Sequence, residues 1–206
     1  MKNFTNYPDS HLDLEVSKQK MWTLIFAELL VFGVLFMIYA LYRLKNSVAF
    51  DMAGNELYTA IGTINTIILL CVSMSVAMAG LALQKKQKGM AVFLLEVSVT
   101  LAVIFLFNKY FEWGMKFDNG IWPGSSYLAK NLSNGEASFY NLFFVTTGLH
   151  ALNILVGLYF LVGLLSKIQK TPVENLQPVL LENMGLFWHL ITIIWVIIFP
   201  LFYLIH

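Results

Sequence analysis

Five long apolar runs, separated by short polar stretches, set the pattern of this chain; they cover about residues 21–43, 58–83, 90–112, 139–165 and 184–205. Each exceeds the roughly 18 residues an α-helix needs to cross a hydrocarbon core about 30 Å thick. A spanning helix also satisfies its backbone hydrogen bonds internally, where lipid offers none. The pattern predicts an all-α fold: a polytopic transmembrane bundle of five helices, with a polar N-terminal tail over 1–20 and a single membrane domain over 21–206. The tail lacks the short apolar core and small-residue cleavage site of a secretory signal, so the first span is expected to stay as an anchor.

Composition strengthens that reading. Of the 206 residues, 58% are hydrophobic and 12% charged, against about 25% charged in a soluble domain. The single cysteine, Cys71, lies inside the second run and excludes an internal disulfide. A net charge of +1, with no basic cluster beyond Lys85, Lys86 and Lys88, argues against nucleic acid as a partner.

Charge also suggests an orientation. With five spans, Lys2, Lys18, Lys20, Lys85, Lys86, Lys88, Lys167 and Lys170 share one side, and Arg43, Lys45, Lys109, Lys116 and Lys130 the other. Basic residues near span ends favour the cytoplasm, which places the N-terminus inside and the C-terminus outside. The longest connection, about 113–138, carries Trp122-Pro123-Gly124 and Asn134-Gly135, turn sequences that suit an ordered outer loop or interfacial segment. Trp22, Trp113, Trp122 and Tyr58 fall at or near span ends, where amphipathic rings favour the interface.

The few polar residues inside the runs carry the candidate chemistry, because an ionisable group in hydrocarbon normally faces protein, water or a partner. They are Glu28, Glu96, His150 and His189. At about 1.5 Å per residue, Glu28, Glu96 and His189 lie roughly 8–10 Å from the inner end of their helices, and His150 about 16 Å from the outer end. One reading is a proton-exchanging or lipid-binding cluster. The other is hydrogen-bonded packing polarity that sets helix register. The depths of the two histidines match too poorly for them to ligate one haem. No spacing resembles a closed metal site, and there is neither a nucleophile motif nor a phosphate loop, so neither a catalytic nor a metal site is expected. Gly148, Gly157 and Gly163, with Ala77, Ala79, Gly80 and Ala82, permit close helix approach, and Asn65, Asn141 and Asn153 are candidates to bridge helices.

Five ordered segments resemble one family. In Met21-Trp22-Thr23-Leu24-Ile25-Phe26-Ala27-Glu28 through Phe32-Gly33, a Trp precedes a buried Glu and an aromatic-glycine pair follows. Ile64-Asn65-Thr66, Lys109-Tyr110-Phe111-Glu112-Trp113, Phe143-Phe144-Val145-Thr146-Thr147-Gly148-Leu149-His150 through Gly157, and Phe187-Trp188-His189 through Trp195 and Phe199-Pro200-Leu201 follow in order. Together they resemble subunit III of the haem-copper respiratory oxidases, in its bacterial five-helix form. Two positions depart from that pattern: Asn153 stands where the family commonly has a second histidine, and Thr192 where it often has an acidic residue.

The resemblance implies a noncatalytic subunit beside the catalytic subunit I and other subunits of a terminal oxidase that reduces oxygen and pumps protons. Cytochrome c or quinol would be the electron donor, and haem and copper would sit in the partner subunits. It further implies a multi-pass protein of the bacterial plasma membrane that binds phospholipids and sustains proton uptake and the stability of the catalytic subunit. Glu28 would be the carboxylate of the lipid cleft, related to proton uptake, while Glu112, His150 and His189 would be structural polar positions, as Glu96 is on its own reading. Three alternatives stay open: a subunit III-like accessory protein of nitric oxide reductase, a small proton-coupled transporter, and a purely structural scaffold. The identity of the co-purifying catalytic subunit separates the first, ion flux in liposomes the second, and an unchanged Glu28→Gln variant the third.

Overall fold

The computed structural model describes residues 10–173 and 179–205. Among these residues the chain is helical throughout, with helices α1 (Ser10–Lys45), α2 (Ser47–Asn55), α3 (Thr59–Gln84), α4 (Lys88–Asp118), α5 (Ser126–Asn131), α6 (Asn134–Lys170) and α7 (Val179–Tyr203). Five of them, α1, α3, α4, α6 and α7, are long and apolar enough to span a membrane. His206 lies outside the described residues.

The spans run further than the apolar runs alone predict, because their polar ends are stabilised as helix. α6 begins five residues early, at a reciprocal cap: Ser133 Oγ accepts from the Glu136 backbone N–H, and the Glu136 side chain accepts from the Ser133 N–H. Such a Ser-x-x-Glu box satisfies two donors that the first helical turn otherwise leaves unpaired. α4 continues to Asp118 and stops at Gly120, which has a positive φ of 75° and lets the Ile121 N–H reach back to the Lys116 carbonyl. Lys86, at φ 59°, ends α3 the same way, with the Gln87 N–H on the Ala82 carbonyl. The predicted 113–138 loop is therefore two helix ends flanking the short α5.

α3, α4, α6 and α7 form a closed four-helix core. α3 packs on α4 and α7, and α6 completes the ring against both. α1 lies outside it against α6 and α7, and α2 rests on α6. Lipid tails are as apolar as the helices, so close packing and interhelical hydrogen bonds hold such a bundle together. Gly157 lets Phe187 and Trp188 approach so closely that an added Cβ would lie 3.0 Å and 3.2 Å from their rings. At Gly135 the fit against α2 is tighter still, with an added Cβ 2.6 Å from that of Ala49.

Along the α3–α7 seam three hydroxyls recur at seven-residue intervals. Thr59 Oγ1 lies 3.4 Å from the Tyr203 carbonyl, Thr66 Oγ1 accepts from Trp195 Nε1 at 3.0 Å, and Ser73 Oγ meets His189 Nδ1. Seven residues are about two helical turns, so the three pairs lie on one face and allow a single register.

Two cations close helix ends across the bundle. Arg43 of α1 donates to the Ile205 carbonyl at 2.6 Å, and Tyr39 donates to the Leu201 carbonyl, at the end of α7. Lys88 of α4 donates to the Gln169 and Thr171 carbonyls at 3.0 Å and 2.9 Å, at the end of α6. Both serve carbonyls that have no partner within their helix and carry its negative dipole end.

Glycine substitutions separate tight from open packing. Gly135→Ala is expected to lower stability by about 1–3 kcal/mol through overpacking. Gly33→Ala, where an added Cβ meets nothing within 4 Å, should be neutral or stabilising. Thermal unfolding of both variants in detergent reads the difference.

Candidate functional site

α1 is the loosest span: 17% of its most apolar stretch is buried within the chain, against 56% for α7. Its buried residues Ile25, Phe32 and Tyr39 recur every seventh position and form one narrow seam. At its C-terminal end the seam is fastened by Tyr39 and Arg43. Towards the other end a groove of about 500 Å³ opens between α1, α6 and α7, lined by Lys20, Met21, Leu24, Glu28, Asn153, Val156, Phe160 and Phe187 among others.

Glu28 is half-buried in this groove, where its Oε2 accepts from Asn153 Nδ2 at 2.6 Å. Asn153, one of the two positions that depart from the expected pattern, thus presents a hydrogen-bond donor to the carboxylate. A second, largely apolar groove of about 810 Å³ follows α6 past Leu155, Tyr159 and Gly163 to Lys167, sharing Phe160 and Met184 with the first.

The other predicted polar residues go to different places. Glu96 is exposed, and its Oε1 accepts from Gln169 Nε2 at 3.2 Å. His189 is also exposed, with Nδ1 on Ser73 Oγ. Among the described residues Glu28, Glu96 and His189 each bond to a different partner, Asn153, Gln169 and Ser73, and do not form one site. His150 is fully buried beside Trp195, ring centroids 5.1 Å apart, with Phe32 and Phe105 edge-on to it. Neither of its ring nitrogens has a hydrogen-bond partner among the described residues.

Glu112 belongs to a buried ionic centre that hydropathy alone misses. Lys109 Nζ lies 2.6 Å from Glu112 Oε2, the Tyr203 hydroxyl donates to Glu112 Oε1 at 2.7 Å, and Lys109 Nζ lies 3.2 Å from that hydroxyl. Lys109 and Glu112 are each 1% exposed. The ammonium is also 4.9 Å from the centre of the Phe143 ring and 5.4 Å from that of Trp195, a cation–π setting. Lys109 is thus a core residue, although its charge counts with an outer loop in the topology reading. The i,i+3 spacing of Lys109 and Glu112, which puts them on one helix face, is the signal that could have paired them. Lys116 behaves similarly: it is buried, donates to the Glu56 carbonyl at 3.0 Å and sits 5.2 Å from the Tyr140 ring centre.

Asn65 bridges helices as expected, accepting from Asn108 Nδ2 at 2.9 Å, and Asn153 does so through Glu28, whereas Asn141 is exposed. Trp22, Trp122 and Tyr58 are exposed at span ends, but Trp113 lies inside α4 with its ring near Phe144. Among the described residues no group of three His, Cys, Asp or Glu side chains is placed to hold a metal ion.

Breaking the buried pair from one side should be far worse than removing it whole. Lys109→Met leaves a buried carboxylate and is expected to cost about 3–5 kcal/mol. The Lys109→Met/Glu112→Leu double variant should recover most of that loss, as read from unfolding midpoints in detergent.

Known proteins match this sequence along its length. The sequence profile of cytochrome c oxidase subunit III matches residues 18–206. A haem-copper oxidase subunit I+III of Aeropyrum pernix is 28% identical over 200 residues, which are 91% of this chain and 22% of that longer protein. The cytochrome bo(3) ubiquinol oxidase subunit 3 of Buchnera aphidicola is 23% identical, with 89% of this chain and 84% of the relative aligned. A probable quinol oxidase subunit 3 of Staphylococcus aureus is 23% identical over all of this chain and 97% of its own length. With a match running through all five spans, the chain belongs to the cytochrome c oxidase subunit III family.

Proposed function

We propose that the chain is a noncatalytic subunit of a terminal haem-copper oxidase, which holds phospholipid beside the complex and sustains proton uptake by the catalytic subunit. The observation that carries this reading is the groove between α1, α6 and α7, with the Glu28–Asn153 pair inside it. Lys20 lies at one groove and Lys167 at the other, and the walls between them are mostly apolar. Lysines at the ends of membrane helices extend towards the headgroup layer on their aliphatic stems. Two adjoining grooves suit acyl chains, and the two ammonium groups suit an anionic phosphate.

The orientation follows the lysines. We place the N-terminus, the α3–α4 turn and the α6–α7 connection on the cytoplasmic side of the bacterial plasma membrane, with the C-terminus outside. Glu28 then lies in the inner half of the membrane, the side from which protons are drawn. One of its oxygens is held by Asn153, and the carboxylate borders the open groove. A carboxylate so placed lies beside the groove on the uptake side without a redox centre of its own. Haem and copper belong, in this reading, to the partner subunits, and the electron donor is cytochrome c or quinol.

Gentle detergent purification of the tagged chain tests the assembly. Haem bands in a redox difference spectrum and an oxidase catalytic subunit by mass spectrometry are expected. A nitric oxide reductase catalytic subunit, or a colourless chain alone, would overturn the proposal. In the purified complex, Glu28→Leu is expected to lose bound phospholipid and to lower turnover. Unchanged lipid content and turnover in Glu28→Leu would leave the groove without the role assigned to it.

A further inference from the structure

Among the described residues, four buried side chains carry nitrogen without a hydrogen-bond partner: Asn65, Trp113, Trp188 and His150. On the first three that nitrogen is only a donor, and the face of a neighbouring ring can serve a donor. His150 is different. Both of its ring nitrogens are unpaired, and the residue is fully buried. Glu112 is committed to Lys109, so a charged imidazole would have no counter-ion here, and the ring is neutral. A neutral imidazole presents one N–H and one lone pair. The surrounding rings of Phe32, Phe105 and Trp195 can accept the N–H on a face, but a ring face is negative and repels a lone pair. At least one nitrogen needs a polar partner that these rings do not supply.

Two polar groups of complementary character flank the imidazole. On α6, Asn153 follows His150 by three residues, about 4.5 Å along the axis and on the same face. Both meet α1 in consecutive layers, Asn153 at Glu28 and His150 at Phe32, one turn further on. Asn153 spends its amide nitrogen on Glu28, which leaves its Oδ1 as an acceptor. Lys109 lies towards the other end of α6, its Nζ 4.9 Å from the centre of the Phe143 ring and against the same Trp195 ring as His150. On α4 it follows Phe105, which touches His150, by one turn or about 6 Å. Its ammonium has three protons, and Glu112 and Tyr203 take two. An acceptor thus stands to one side of the ring and a donor to the other.

We propose that His150 is an internal water site, with ordered water on each ring nitrogen that reaches the Asn153 side-chain oxygen from one and the Lys109 ammonium from the other. Water donates and accepts alike, and buried waters are typically held by about three hydrogen bonds to polar groups left unpaired by the fold. The groove extends to Asn153 and gives water a way in. A hydrogen-bonded line then runs from Glu28 through Asn153, His150 and Lys109 to Glu112 and Tyr203. It ties α1, the loosest span, to the ionic centre of the four-helix core.

A cryo-electron microscopy map of the chain in its purified membrane assembly, at a resolution that shows ordered solvent, tests this on the unaltered protein. Density within hydrogen-bond distance of both ring nitrogens is expected. Density at one nitrogen alone, or at neither, overturns the proposal. Unfolding in detergent reads it a second way. Replacing an unsatisfied polar group by an apolar one is neutral or stabilising, whereas replacing a hydrated imidazole strands its waters. His150→Leu is therefore expected to lower the unfolding midpoint, and His150→Gln, which keeps a donor and an acceptor on one amide, to recover part of the loss. A His150→Leu midpoint equal to or above wild type overturns the site. So does a His150→Gln variant no more stable than His150→Leu, since the loss is then one of packing. Where neither variant folds, the map decides.

Discussion

Hydrocarbon offers a polar group no water to fall back on, and that constraint organises this bundle. Inside it, polar groups are matched across helices: Lys109 with Glu112 and Tyr203, Asn108 with Asn65, Trp195 with Thr66, Asn153 with Glu28. These pairs connect α4 to α7, α4 to α3, α7 to α3, and α6 to α1. Apolar side chains fill the space between them but distinguish poorly between one register and another, because lipid tails would cover them as well. A one-turn slip would cost little in dispersion and would orphan several of these groups at once. The polar minority therefore specifies the arrangement, while the glycines at positions 135 and 157 allow the backbones close enough for the pairs to meet.

Much of the architecture was legible in the sequence for the same reason. A run of apolar residues long enough to span is nearly a sufficient condition for a helix in a membrane, and all five spans were found that way. Their ends were misjudged where polar residues continue the helix. The Ser133–Glu136 cap was present in the sequence as Ser-Asn-Gly-Glu, yet its Asn-Gly pair reads as a turn when taken alone. α2 escaped notice because nine residues between two spans carry too little periodicity to separate from a connection.

The site was legible in depth and not in facing. Glu28, Glu96 and His189 were ranked together because helix rise gives the level of a residue, and rotation about the axis depends on which neighbour each helix meets. Their actual surroundings are a groove, a pairing with Gln169 and an outward flank. Lys109 was lost for a related reason: a lysine near the end of an apolar run looks like a flanking charge, and what buries it is Tyr203, distant in sequence. Asn153 shows the opposite case, in which a position that departs from the expected pattern still makes a bond across helices, its amide donating to the Glu28 carboxylate.

The fastening of α1 to the end of α7 also bears on how the protein is made. Tyr39 and Arg43 enter the bilayer with α1, but the carbonyls they bind belong to Leu201 and Ile205, 162 residues further along the chain. Domains grow from the N-terminus during translation, so this fastening of α1 waits until α7 has been made. Until then α1 is held by its anchorage in lipid, by the Arg43–Asp51 pair and, once α6 is in place, by Glu28 on Asn153. The bundle is in this sense closed by α7, and a chain cut within that helix would leave α1 without its Tyr39 and Arg43 contacts there as well as α7 unfinished.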